Sequence, residues 1–282
     1  MRVLLIGDLH FFSLRLSLGE WFSKRVLGQI NLLRNRRHQF SHGLFPDMLA
    51  RGLAESPEAA VLTGDFTTTA LEREFKAAQA ALGARGSALA IDGLRTLAVP
   101  GNHDRYTFAA SRKKLWEKFF SPAQFPKLEP LGGHWHALLL DSASPRALSS
   151  RGGLGKAQLD AAEKLLQTLR PEDGVLVVCH YPPVAPKGVR IPWNRDMAGR
   201  ANLADMLTRC PARVVFAHGH IHLPWHLTPE KDSVPFDCIN AGAPCQIKDK
   251  HGNVWPEGQG LWILELPEDA RNGTVNVRRV GA

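Results

Sequence analysis

The sequence predicts an α/β sandwich. Short apolar runs recur along the 282 residues, amphipathic helical patterns lie between them, and the last two runs follow one another with no helix between. Strands alternating with helices argue a layered α/β fold. Two closing strands without a helix suit antiparallel pairing that completes a second sheet.

The first run, 3–6, contains Val3, Leu4, Leu5 and Ile6 and no polar residue, so it reads as a buried strand. Runs at 59–62, 96–99, 137–140, 175–179 and 213–217 read the same way. Between them, residues 71–82, 108–120, 156–169 and 200–210 repeat apolar side chains three and four apart, the spacing of a helix with one face on a core. Runs at 261–266 and 274–280 are the two closing strands. No repeat, low-complexity tract or long linker interrupts the series, so residues 1–282 are expected to form a single domain.

Hydrophobic content of 44% suits a substantial core. Cys179, Cys210, Cys238 and Cys245 lack Cys-x-x-Cys spacing, which disfavours a zinc ribbon. With no secretory signal ahead of them, reduced thiols in a cytoplasmic protein are expected. No stretch of about 18 uncharged apolar residues supports a membrane-spanning helix.

Histidine- and carboxylate-bearing motifs stand where the apolar runs stop. They are Gly7-Asp8-Leu9-His10, Gly64-Asp65, Gly101-Asn102-His103-Asp104, Cys179-His180 and Gly219-His220-Ile221-His222. Ligands of α/β sheets sit beyond the carboxyl ends of the strands, so the motifs are expected to converge. Asp8 and His10 are two apart, as are His218, His220 and His222, and strand alternation would place each set on one side. Of the three histidines, two read as ligands and one as a bystander. Asp65 has two oxygens and could bridge two ions. Asn102 offers a neutral amide oxygen. His103 suits a proton donor to a leaving oxygen or a cationic clamp on phosphate, and Asp104 would orient His103 or steady the loop. Taken singly, each motif could be a turn or a structural histidine.

Together, and in this order, the motifs resemble the calcineurin-like metallophosphoesterase superfamily, with D-x-H, G-D, G-N-H-[DE], H and G-H-x-H all present. The resemblance implies a four-layer αββα sandwich of two mixed sheets. It implies one metal on Asp8, His10, Asp65 and His222, a second on Asp65, Asn102, His180 and His220, and His103 near the scissile phosphate. Manganese, iron and zinc all accept such ligands, manganese being the first expectation. Two divalent ions would activate water for attack on a phosphodiester, phosphomonoester or pyrophosphate.

The stretch at about 11–42 is the unusual one. It carries six basic residues, including Arg25, Arg34, Arg36 and Arg37, against Glu20 alone, a net of +5 within the chain's net charge of +8. Leu18, Phe22, Val26, Ile30 and Leu33 fall at helical spacing beside Trp21, which suits either an interfacial helix on anionic lipid or an amphipathic core helix with a basic end. The run 23–31, with the arginines after it and His38, resembles chlamydial-type UDP-2,3-diacylglucosamine pyrophosphatases. That resemblance implies a lipid-linked nucleotide substrate, lipid A synthesis and peripheral attachment at the inner membrane. Competing readings are a soluble (cyclic) nucleotide phosphodiesterase, a nuclease suggested by a sequence pI near 9.6, and a non-catalytic binding scaffold. Basic balance alone favours nucleic acid weakly. Trp193, Asn194, Arg195, Asp196 and Trp225 are further candidate substrate contacts.

Overall fold

The computed structural model describes residues 1–14, 16, 20, 23–83, 90–91, 93–120, 124–249 and 251–281. The expected insert residues Arg15, Leu18, Trp21 and Phe22 lie outside them. Among the described residues the strands run β1 (Arg2–Ile6), β2 (Ala59–Leu62), β3 (Ala90–Ile91), β4 (Leu94–Ala98), β5 (Lys127–Gly132), β6 (Trp135–Leu139), β7 (Gly152–Gly153), β8 (Gly174–Val178), β9 (Met197–Ala198), β10 (Arg213–His218), β11 (Trp225–Leu227), β12 (Asp237–Asn240), β13 (Leu261–Glu265) and β14 (Asn276–Val280).

One sheet has the order β14-β13-β1-β2-β4-β3 and the other β11-β12-β10-β8-β6-β5. Both are mixed. β1, β2 and β4 are parallel with antiparallel strands outside them, and β6, β8, β10 and β12 are parallel between antiparallel β5 and β11. Alternation along each central strand buries both faces. In β1, Val3 and Leu5 point between the sheets to meet Ala137, Leu176 and Val215, while Leu4 and Ile6 point outward onto Phe45, Met48 and Phe75. The outer face of the second sheet packs Val175, Val177 and Phe216 on Ala162, Leu166, Leu203 and Met206. Helices thus cover both outer faces, giving the four-layer arrangement.

Several elements differ from the sequence reading. The closing strands do not complete the second sheet; they extend the first, because β13 pairs antiparallel with β1 and turns Trp262 and Leu264 into the core between sheets. The second sheet is completed instead by β5, β11 and β12, whose short runs gave no strand signal. Expected helix 108–120 is broken into Phe108–Arg112 and Leu115–Phe119, where Lys114 takes a left-handed φ of 48°. Helix Phe45–Ala54, not predicted, buries Phe45, Met48 and Leu49 against the first sheet.

Candidate metal centre

The candidate ligands leave both sheets at one end. Asp8 and His10 follow β1, Asp65 follows β2, Asn102 and His103 follow β4, His180 follows β8, and His220 and His222 follow β10. Strand alternation is not what aligns them, since β1 ends at Ile6 and β10 at His218. Instead His10, Asp65, His220 and His222 take left-handed backbones, with φ of 52°, 51°, 73° and 64°. Non-glycine residues rarely adopt this region, and such strain persists where surrounding structure fixes it, often at functional sites. Two close approaches require glycine. A Cβ on Gly219 would stand 2.1 Å from Asp8 Oδ1, and one on Gly101 would stand 2.2 Å from Asp65 Oδ1.

Outer hydrogen bonds set which ring nitrogens face inward. His180 donates from Nδ1 to the Thr63 carbonyl (2.8 Å), and His220 donates from Nε2 to the Arg195 carbonyl (2.7 Å). Their other nitrogens meet Asn102 Oδ1 at 3.2 and 2.9 Å, so with both rings neutral, as metal binding requires, three acceptors face one another. On the other side, His222 donates from Nδ1 to Gln246 Oε1 (2.6 Å) and His10 Nδ1 lies 3.3 Å from the Thr67 carbonyl. The two Nε2 atoms then stand 3.0 Å apart, again acceptor to acceptor. Asp65 Oδ2 belongs to both groups, 3.4 Å from His180 Nε2 and 3.6 Å from His10 Nε2. Asp8 Oδ2 lies 3.5 Å from His222 Nε2, and buried Asp8 Oδ1 has no hydrogen-bond donor. Converging lone pairs held by donors on their far sides are what a cation needs. These donor sets therefore fit two metal ions.

Charge agrees with that fit. Burial raises the Asp8 carboxyl well above the usual range, with Asp65 adding to it against His180. Burial also acts on Asp65, but the facing imidazoles, His180 first and then His103, outweigh it and hold this carboxyl well below its ordinary value. Against burial, Asp65 and then Asp8 raise His180 to about 9. Burial and Arg36 lower His103 to about 3 and His222 to about 4. Burial likewise holds His10 and His220 well below the ordinary value. Two adjoining carboxylates among mostly neutral imidazoles form a cradle suited to divalent cations.

A cavity of about 400 Å³ opens beside the cradle, lined by Asp65, Asn102, His103, His220 and His222 and by cations from elsewhere in the chain. His103 donates from Nδ1 to the Thr68 carbonyl (2.6 Å), and its Nε2 accepts from Arg36 (3.3 Å).

A family model described as calcineurin-like phosphoesterase matches residues 1–224. The chain belongs to the calcineurin-like phosphoesterase family. Membership places it among metal-dependent phosphoester hydrolases. A protein of Synechococcus sp. named a probable cyclic nucleotide phosphodiesterase is 28% identical over 80% of this chain and 83% of its own. A probable glycerophosphodiester phosphodiesterase of Arcobacter nitrofigilis is 25% identical over 60% of this chain, and that match spans 58% of the relative's length. In fold the chain is similar to a dimetal phosphatase from Danio rerio, with a TM-score of 0.60 and 14% identity over 99% of this chain and 96% of that one. It is also similar to a purple acid phosphatase from yellow lupin, with a TM-score of 0.55 and 12% identity over 98% of this chain and 52% of that one.

In this phosphoesterase all seven expected ligands and His103 come together. Asp104 does not enter the cavity. Its carboxylate accepts from Thr67 N (3.0 Å), Thr67 Oγ1 (3.0 Å) and Gly101 N (3.0 Å), so it ties two strand-end loops together and steadies the loop beneath His103 without touching that ring. His218 is buried, with Nδ1 on the Gly219 carbonyl (2.9 Å) and its ring beside Trp225. Trp225 is a core residue, whereas Asn194 and Arg195 line the cavity.

Sequence reading missed Arg36, Gln246 and His42. His42 donates from Nε2 to the Leu9 carbonyl (2.9 Å) and stacks on Phe11, bracing the Asp8–His10 loop. Gln246 lies far along the chain from His222 and carried no motif. Arg36 sat in plain view among basic residues, but the insert's apolar stripe pointed elsewhere. In helix Arg25–Asn31 and the π-turn Leu32–Arg36 the inward face is Arg25, Gly28, Gln29 and Leu32, while Ile30 and Leu33 of the expected apolar face are 42% and 48% exposed. Arg25 can face inward because the Thr69 and Ala70 carbonyls, at 3.0 and 2.7 Å, satisfy its guanidinium.

Proposed function

We propose that this single-domain protein is a binuclear-metal phosphoesterase that cleaves the pyrophosphate of a lipid-linked nucleotide, UDP-2,3-diacylglucosamine, releasing UMP. Asp8, His10, Asp65 and His222 would hold one ion, and Asp65, Asn102, His180 and His220 the other. The observation that carries hydrolysis is the convergence of two acceptor groups on Asp65 Oδ2. Such an ion pair supplies Lewis acidity toward phosphoryl oxygens and lowers the pKa of water. The chain's own part is orientation. Carbonyls of Thr63, Thr67 and Arg195 and the Gln246 amide fix the imidazoles. His103 turns Nε2 into the cavity; unprotonated while its Nδ1–H meets the Thr68 carbonyl, it would become the proton donor to the leaving oxygen once the charge of a bound phosphate offsets Arg36, and Asp104 secures its loop.

The lipid-linked substrate is supported by the insert. Exposed Ile30 and Leu33 stand close in sequence to exposed Arg34 and Arg37, an arrangement that suits peripheral attachment to an anionic inner-membrane surface from the cytoplasmic side. No helix among the described residues is long and apolar enough to cross a membrane. Similarity to a probable cyclic nucleotide phosphodiesterase favours a second reading, a soluble nucleotide phosphodiester. UMP release from UDP-2,3-diacylglucosamine in detergent micelles with manganese, beside a chromogenic phosphodiester, separates them. UMP release supports the first; cleavage of the phosphodiester alone supports the second.

A further inference from the structure

The cation nearest the candidate centre comes from the insert and not from any of the motifs. Arg36 closes the π-turn and reaches His10 Nδ1 (3.1 Å) and His103 Nε2 (3.3 Å). Single π-turns inside helices often present a functional side chain. Neither nitrogen is an anion, and His10 Nδ1 also faces the Thr67 carbonyl, so a proton there would leave this guanidinium contact unfavourable. Among the described residues no carboxylate forms an ion pair with this guanidinium; Asp65 and Asp8 act on it only from further off, and its direct contacts are imidazoles beside a cavity. Two more cations share the wall. Lys24 lies 4.6 Å over the Tyr106 ring and donates to the Arg146 carbonyl (2.8 Å), and Arg195 borders the same space. Tyr106 stacks on His103, with centroids 5.6 Å apart, so the cationic wall is continuous with the ring beside the candidate metals.

We propose that Arg36, aided by Lys24 and Arg195, forms a subsite for a second phosphate adjoining the scissile one, which selects pyrophosphate-linked substrates over simple phosphodiesters. This rests on the metal-dependent hydrolysis proposed above and is independent of whether a lipid is attached. A planar fork suits two oxygens of a phosphate, and its charge is already desolvated on one side. The π-turn places it on the metal side of the cavity, so the second phosphate would sit against His103 and Tyr106 and not in open solvent.

The test uses the full chain with manganese and two soluble probes, UDP-glucose for the pyrophosphate class and bis(p-nitrophenyl) phosphate for the diester class. R36Q should lower kcat/KM for UDP-glucose about tenfold or more beyond its effect on the diester, with the difference in KM. R36K should recover part of that loss, since it keeps the charge without the fork. Equal losses on both probes would overturn the subsite. Wild-type cleavage of the diester with no turnover of UDP-glucose would overturn it too while leaving the phosphoesterase reading intact. Cleavage of neither probe with manganese, iron or zinc would sink both.

Discussion

The strand-end loops and the insert solve opposite problems beside the same cavity. In the loops, small turns and left-handed backbones force buried acceptors together, and every candidate imidazole is oriented by a neighbour behind it. In the insert, Arg25 and Gln29 face inward beside Leu32, while Ile30 and Leu33 lie outward among exposed Arg34 and Arg37, so the apolar stripe is not the face that packs. The difference teaches that the acceptor cradle is held by geometry the rest of the fold enforces, whereas the selectivity proposed for Arg36 would come from a segment that packs beside it.

The sharpest way to break that division is Asp65→Asn. Losing the one carboxylate common to both acceptor groups should bring turnover to background and halve bound metal or worse, with an unchanged circular dichroism spectrum; turnover retained would remove the shared oxygen from the account. Chelation of wild-type protein should abolish activity, with recovery on adding manganese, iron or zinc, whichever the native pair is. Next in size, His103→Ala should cut kcat by about 10²- to 10⁴-fold while metal content by plasma emission stays near wild type. Parallel loss of both would make His103 part of the cradle. Gln246→Ala sharpens the comparison from the far side of a ligand. It should weaken metal binding by about 10- to 100-fold through a loosened His222 ring, read by titration with a competing chelator. The smallest effect belongs to the insert's outer face, where Leu33→Ser should change unfolding free energy by no more than about 0.5 kcal/mol in a urea melt. By contrast, Leu176→Ala between the sheets should cost about 2–5 kcal/mol.

Much of this molecule was legible in its residues because two signals are local. Apolar runs such as 175–179 fill central strands that are buried on both faces, so their composition suffices. Each of the D-x-H, G-D, G-N-H-D and G-H-x-H motifs keeps its chemistry within four residues. Short strands such as β12, with a buried Asp237 and Asn240, hide because their partners and not their composition hold them. Lys114 gave no warning of the break in the helical pattern around it.

By itself the sequence determined the layered α/β class, the ligand types and the order in which they are delivered, since these depend on side-chain chemistry and on periodicity along the chain. Tertiary structure alone decided which nitrogen of each histidine faces inward, that Asp65 Oδ2 is common to both groups, that β13 and β14 join the first sheet, and that Arg36 turns into the cavity. Each of those outcomes depends on a carbonyl, a strand edge or a ring brought in from a distant part of the chain, and no local pattern encodes what will stand on the other side of a side chain.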